Sequence, residues 1–189
     1  IEHGHGRTEE EQDENQEFWS EAKKKITGRG PSDYTFHQKV NLFQASMWFH
    51  YIQLNFSDAL DDAMEAATWF SLRRQMTVKD PDLYLRCLYY VAMFGFLNGK
   101  ENTVRRYLAF MNSFLSDEKI ILNPNSRRLG DVYLNLSHFN LLFMTKDYDG
   151  PYTFSREHLD TYEADTFFPN SHRCALFLLM SAPPCFVTP

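Results

Sequence analysis

The sequence predicts an all-α protein built from antiparallel helical hairpins that stack one after another. Three observations support this fold class. Every long apolar pattern in the 189-residue chain has helical period, and none alternates at period two. The helical patterns come in pairs separated by short polar breaks. The second limbs of two such pairs match at a constant offset of about 44 residues, which is typical of helical repeats. We therefore expect about seven helices and no sheet.

The clearest hairpin spans residues 81–115. Both of its limbs carry apolar residues at intervals of three and four, the spacing of a helix face. Between the limbs, Gly99 stands where a helix commonly ends in a left-handed turn. The apolar positions are Leu85, Leu88, Tyr89, Ala92, Met93 and Phe96 in the first limb, and Val104, Leu108, Met111 and Phe114 in the second.

Two further hairpins are predicted beside this one, so that three repeats span residues 34–163. The first of them turns at residues 55–58, where Ser57 is placed to cap the second helix. The last is expected to begin at Arg127 or Arg128.

Proline marks the predicted boundaries between these units. Asp80-Pro81 separates the first hairpin from the second, and residues 123–126, which read Asn-Pro-Asn-Ser, separate the second from the third. A residue that precedes proline is disfavoured in the helical region, so each boundary is predicted to interrupt a helix.

The two ends of the chain differ from its centre. Residues 1–17 lack aromatic residues and are crowded with acids, so they are predicted to form a disordered acidic arm. Residues 18–33 are predicted to form a short helix and a linker. At the other end, residues 164–189 are predicted to form a closing helix and a tail. The apolar run 174–180 in this last segment is a candidate for association with another chain.

Charge and composition exclude some classes of function. The net charge of −6 is concentrated in the first 20 residues, and the remainder carries 18 acids and 18 bases. Such a neutral body argues against a nucleic-acid partner. No apolar run reaches the length of a membrane span. The three cysteines have no C-x-x-C spacing, which favours reduced thiols and a cytoplasmic location, with the nucleus as the other option.

Small and apolar residues at the packing positions of the central hairpin resemble those of the tetratricopeptide-repeat superfamily. The residues that carry the resemblance are Ala92, Gly95, Gly99, Leu108 and Met111. The repeat here is longer than the roughly 34 residues of that family. The resemblance implies a right-handed superhelix whose first limbs line a concave groove that holds an extended peptide or a partner helix.

The family's groove positions can be carried over to the first limb of each hairpin. Arg86 and His50 would be able to hold a carboxylate or phosphate, so an acidic partner is among the expectations. Tyr89 and Tyr133 would offer flat anchors. The alternative, that the aromatic residues are core and Arg86 is a solvated helix residue, stays open. The full set implied by the resemblance is Phe43, Ser46, His50 and Gln53, then Arg86, Tyr89 and Met93, then Tyr133, Leu136 and Asn140.

The sequence predicts a protein-protein interaction module, a scaffold or adaptor that binds a protein or peptide. The alternative is a helical regulatory domain that encloses an apolar small molecule in an aromatic-lined cavity. No enzyme and no cofactor are expected, because the seven histidines have no metal-binding spacing and no glycine-rich loop is present to hold a phosphate.

Overall fold

The computed structural model describes residues 8–27 and 34–146. This part of the chain contains seven helices and no strand, which confirms the all-α prediction for the described residues. Residues 1–7, 28–33 and 147–189 lie outside it. The predictions of a second limb for the third hairpin, of a closing helix and of association through the run 174–180 therefore fall outside the described residues. The helices are α1 (Glu9–Thr27), α2 (Phe36–Ile52), α3 (Phe56–Ser71), α4 (Arg74–Lys79), α5 (Pro81–Leu97), α6 (Glu101–Leu115) and α7 (Pro124–Met144).

Two of the predicted hairpins are present. Helices α2 and α3 form the first, and α5 and α6 form the second. Helix α7 lies where the first limb of the third hairpin was predicted, and it packs against both α5 and α6. Helix α5 also packs on α3, so it lies at the centre of the described fold.

The centre of the core is formed by one stripe of α5. Leu85, Leu88, Val91 and Phe94 on this helix are each at most 1% exposed. Neighbouring helices close over them, and α7 comes so near that Gly130 lies against buried Leu115 of α6. This close approach fixes α7 beside α5 and thereby sets which of their surface residues can meet.

The start of α7 corrects one predicted boundary. The helix begins at Pro124, ahead of Arg127 and Arg128, where it was expected to start. The Asn123 side chain accepts a hydrogen bond from the Ser126 N–H at 2.8 Å and so caps the helix. Proline suits the first helical position because its missing N–H would have had no partner there. Asn123-Pro124, which was predicted to mark a boundary between hairpins, therefore also marks the start of α7.

The starts of α5 and α3 are also capped by side chains, and the cap of α3 corrects the prediction of Ser57. Helix α5 starts in the same way, with Asp80 accepting from the Leu83 N–H ahead of a first-turn proline. Helix α3 is capped by Asn55, which accepts from the Asp58 N–H, and not by Ser57. Asn is as effective a cap as Ser, and both residues fell within the predicted turn.

Helix α1 extends into the segment predicted to be a disordered arm. It begins at Glu9, whereas the sequence predicted a helix only from Phe18. Thr8 and Glu11 form a reciprocal cap, in which the Thr8 hydroxyl and the Glu11 carboxylate each accept from the other residue's N–H at 3.2 Å. Acidic side chains near a helix N-terminus are also stabilised by the helix dipole. The negative charge of this segment therefore favours a helix that starts here.

Each first limb ends in the same backbone conformation. The residue that follows the cap has positive φ in all three: Leu54 at 58°, Gly99 at 66° and Lys146 at 59°. This confirms the turn predicted at Gly99. In α2 and α5 the next N–H donates to the carbonyl five residues back, at 2.9 and 2.8 Å, which is the hydrogen-bond pattern of a Schellman motif. The three limbs are therefore equivalent at their C-terminal ends.

None of the described helices is long and apolar enough to cross a membrane.

Candidate interaction surface

A stacked tyrosine pair joins two of the first limbs. The rings of Tyr89 on α5 and Tyr133 on α7 lie 4.5 Å apart with an angle of 9° between their planes. Both side chains are half-buried, so the pair is neither fully in the core nor free in solvent. Burial, and after it the neighbouring Tyr133, raises the pKa of Tyr89 to about 12, so its hydroxyl stays protonated at neutral pH.

Arg86 lies beside this pair, one helical turn before Tyr89 on α5. Burial would lower the pKa of Arg86, but a side-chain hydrogen bond to Tyr133 and the nearby ionisable groups of Tyr133, Tyr90 and Cys87 leave that pKa above its usual value. The guanidinium is therefore always charged. The ion pairs found among the described residues do not include Arg86. A half-buried guanidinium that has no carboxylate partner in the protein can still pair with a carboxylate of a ligand.

Two aromatic residues outside the predicted set extend this surface toward α2. Trp48 meets Tyr90 edge to face, with ring centroids 5.5 Å apart. Tyr90 contacts Tyr89 at 6.0 Å. Burial raises the pKa of Tyr90, although the Arg86 charge opposes the shift. We call Trp48, Arg86, Tyr89, Tyr90 and Tyr133 the aromatic–arginine cluster; all five side chains are partly exposed.

The sequence could have indicated both additions. Trp48 and Tyr90 are separated by nearly the same interval as Tyr89 and Tyr133, which is close to the repeat length. Another contact between α2 and α5 has the same interval: the Gln44 amide lies 4.0 Å from the thiol of Cys87, which is 43 positions further along the chain. A search for aromatic pairs one repeat apart would have found the cluster.

The predicted groove residues of α2 lie elsewhere. Phe43 lines a depression of about 650 Å³ between α2 and α3, with the Lys39 ammonium 5.0 Å from its ring centre. His50 faces α3, where its ring nitrogens lie 3.9 Å from Asp58 and 3.7 Å from Asp62. Neither residue is in the contacts that build the aromatic–arginine cluster.

The remaining predicted positions are half-buried on the first limbs. Met93 packs against the hydrophobic core, so part of its side chain has a structural role. The predicted groove residues that are also half-buried but lie outside the aromatic–arginine cluster include Ser46, Gln53, Leu136 and Asn140. Of the predicted set, the structure brings together Arg86, Tyr89 and Tyr133.

The chemistry available at this surface is that of binding. Among the described residues, no group of three or more histidine, cysteine or acidic side chains is arranged to hold a metal ion. Cys87, the cysteine within the described residues, is 1% exposed, and burial raises its pKa to about 12. It is therefore a protonated core residue under ordinary conditions. Flat rings and one permanent cation can hold a partner by stacking and by charge-assisted hydrogen bonds.

Comparison with known proteins adds no relative to this description. The chain matches no protein-family model, no curated protein and no solved structure. The described part of the chain is therefore defined by its own architecture, as an all-helical fold in which α2 packs on α3, α5 packs on α3 and α6, and α7 packs on α5 and α6. The resemblance to tetratricopeptide repeats stays a prediction, as does the aromatic-lined cavity for an apolar small molecule.

Proposed function

We propose that this protein is an interaction module, a scaffold or adaptor that binds a protein or peptide through the aromatic–arginine cluster. The observation that carries the proposal is the placement of half-buried Arg86 against the stacked pair Tyr89 and Tyr133. Arginine and tyrosine are enriched among the residues that dominate interface energies. Their neighbours already hold them in place, so less side-chain entropy is lost on binding.

The wider architecture that we propose is a right-handed superhelix of the tetratricopeptide-repeat type. In it, α2, α5 and α7 line the concave side and α3 and α6 lie behind them. Support comes from the shared C-terminal turn of the three first limbs and from the ring contacts that link α2 to α5 and α5 to α7. A free, protonated thiol at Cys87 is compatible with a cytoplasmic or nuclear setting.

The partner is a peptide segment that combines a carboxylate with an apolar or aromatic side chain. Arg86 provides the positive charge of the cluster, and the N–H donors of its guanidinium match the geometry of a carboxylate. The ring edges and faces of Trp48, Tyr90 and Tyr133 suit an adjoining apolar group. We propose binding, with no catalysis and no cofactor, as the activity of this surface.

Peptide display on the purified protein tests the proposal. Selected peptides are expected to be enriched in acidic residues next to aromatic or aliphatic ones. Arg86→Ala should then weaken a selected peptide by about tenfold or more, the effect of losing one charge-assisted contact. Arg105→Ala is the matched control, because that guanidinium already pairs with Glu101 at 2.7 Å on α6.

Two results would overturn the proposal. One is selection of peptides whose binding is equally weakened by Arg86→Ala and Arg105→Ala, since the effect would then be one of net charge. The other is tight peptide binding that neither Arg86→Ala nor Tyr133→Ala affects.

A further inference from the structure

A second concave site lies where α3, α4, α5 and α6 meet. It is a pocket of about 300 Å³, and none of its lining residues belongs to the aromatic–arginine cluster. Ligand pockets in proteins span about 300 to 1,000 Å³, so this one fits a single small metabolite better than a nucleotide or a peptide.

One wall of the pocket is apolar. It is formed by Phe110, Phe114 and Ile120, from α6 and the segment that follows it. Phe114 is held in place by Tyr84, whose ring meets it nearly edge to face at 4.9 Å, whereas Phe110 is 47% exposed. An exposed aromatic ring beside a fixed one offers a surface for an apolar ligand group.

Two opposite charges line the same pocket. Arg74 is the first residue of α4, and Asp117 follows the end of α6. The ion pairs among the described residues join neither of them to the other or to a third residue. One Asp117 oxygen accepts a hydrogen bond from the Lys119 N–H at 3.0 Å, so this carboxylate is held by its own turn. The pocket therefore presents an anchored anion and a free cation.

Hydroxyl groups occupy the space between the helices. The Ser71 hydroxyl donates to the Ala67 carbonyl at 3.0 Å, and a hydrogen bond also links the Ser71 and Tyr84 side chains. Burial raises the pKa of Tyr84 despite that hydrogen bond, so the phenol is neutral and its oxygen can accept a donor from a ligand. Thr77 and Ser113 add further hydroxyls to the lining.

We propose that this pocket binds a free α-amino acid with an apolar side chain. The ligand carboxylate pairs with Arg74, and its ammonium group pairs with Asp117 and hydrogen-bonds to the Tyr84 oxygen. The apolar side chain lies on Phe110 and Phe114. A zwitterion satisfies both charges at once, which a simple anion or cation does not. The site is independent of peptide binding at the aromatic–arginine cluster.

Isothermal titration calorimetry with L-phenylalanine and L-leucine as probes tests this proposal on the full chain. Saturable one-site binding is expected for at least one of them. N-acetyl-L-phenylalanine, which lacks the ammonium group, and L-phenylalaninamide, which lacks the carboxylate, should each bind at least about tenfold more weakly.

Matched variants locate the site. Arg74→Gln and Asp117→Asn should each reduce probe affinity by about tenfold or more, and Asn at 117 keeps the acceptor for the Lys119 N–H. Phe110→Ala changes an exposed side chain and should weaken L-phenylalanine without unfolding the protein. Arg105→Gln on the same helix as Phe110 is the control and should have no effect.

Any of three outcomes overturns the assignment. The first is the absence of saturable binding by either probe. The second is equal binding of the zwitterion and its two blocked forms. The third is binding that survives Arg74→Gln, Asp117→Asn and Phe110→Ala together, with circular dichroism showing that the variants are folded.

Discussion

At the turns that follow α2 and α5, introducing a glycine and removing one are expected to change the stability of the protein in opposite directions. Gly99 has a φ of 66°, and a Cβ built there meets no atom within 4 Å. Gly99→Ala therefore perturbs only the backbone. Leu54 has nearly the same φ, at 58°, and its side chain is 70% exposed. Leu54→Gly relieves the backbone and loses little packing.

The magnitudes follow from the left-handed conformation. The left-handed conformation costs a residue with a Cβ roughly 1–2 kcal/mol. Glycine loses more conformational entropy on folding than alanine does, which costs roughly 0.5–1 kcal/mol. The net effect of Gly99→Ala is a loss of about 1 kcal/mol. Leu54→Gly should gain about 0.5 kcal/mol, and Gly99→Val should lose more than Gly99→Ala. For a chain of this size, 1 kcal/mol corresponds to a change in Tm of about 2–4 °C.

Urea denaturation of the three variants and the parent protein measures these differences. The expected order of stability is Leu54→Gly, parent, Gly99→Ala, Gly99→Val. Asn98, which donates to the Phe56 carbonyl at 2.6 Å, provides a control, because Asn98→Ala breaks a contact between hairpins at the same turn without changing φ. If Leu54→Gly and Gly99→Ala destabilise the protein equally, the assignment of equivalent turns is wrong.

Three further predictions concern packing and ionisation. Gly130→Ala places a methyl group against Leu115 and should cost about 1–2 kcal/mol after the gain in helix propensity, measured by urea denaturation; adding Leu115→Ala should make the double variant more stable than the two single effects predict. With the other two cysteines replaced by serine, Cys87 should react with a thiol reagent at pH 8 only as fast as the protein unfolds, and rapid native-state labelling would contradict its burial. Cys87 and Tyr89 hold their protons more tightly when folded, with pKa values raised to about 12 from 9.0 and 10.0. The unfolded chain loses those protons first as the pH rises, so the free energy of unfolding should fall between about pH 9 and pH 12 and should show no loss from these groups below that window.

The helices were predictable where an apolar stripe is long and is bounded by polar or proline-containing breaks. Helix α5 meets both conditions, and so do α2 and α3. The six-residue helix α4 was not predicted, because so short a segment carries no periodic signal. Helix α1 was predicted too short, since its first half has no apolar face and depends on the reciprocal cap between Thr8 and Glu11.

The candidate surface was only partly predictable for a geometric reason. Spacing along one helix shows which residues share a face, but it does not show which neighbouring helix that face meets. Arg86 and Tyr89 on α5 lie beside Tyr133 on α7, whereas Phe43 and His50 on α2 share a face that meets α3. The difference is set by how α2 is rotated about its axis, and that depends on the whole core.

We propose that partners bind on the side of the hairpins formed by α2, α5 and α7. Hydrogen exchange followed by mass spectrometry, with and without a peptide selected by display, tests it most directly. Binding at this surface should slow exchange in α5 and α7 around Arg86, Tyr89 and Tyr133, and should leave exchange in α3 and α6 unchanged. Protection confined to α3 and α6, with none near Arg86, would contradict it.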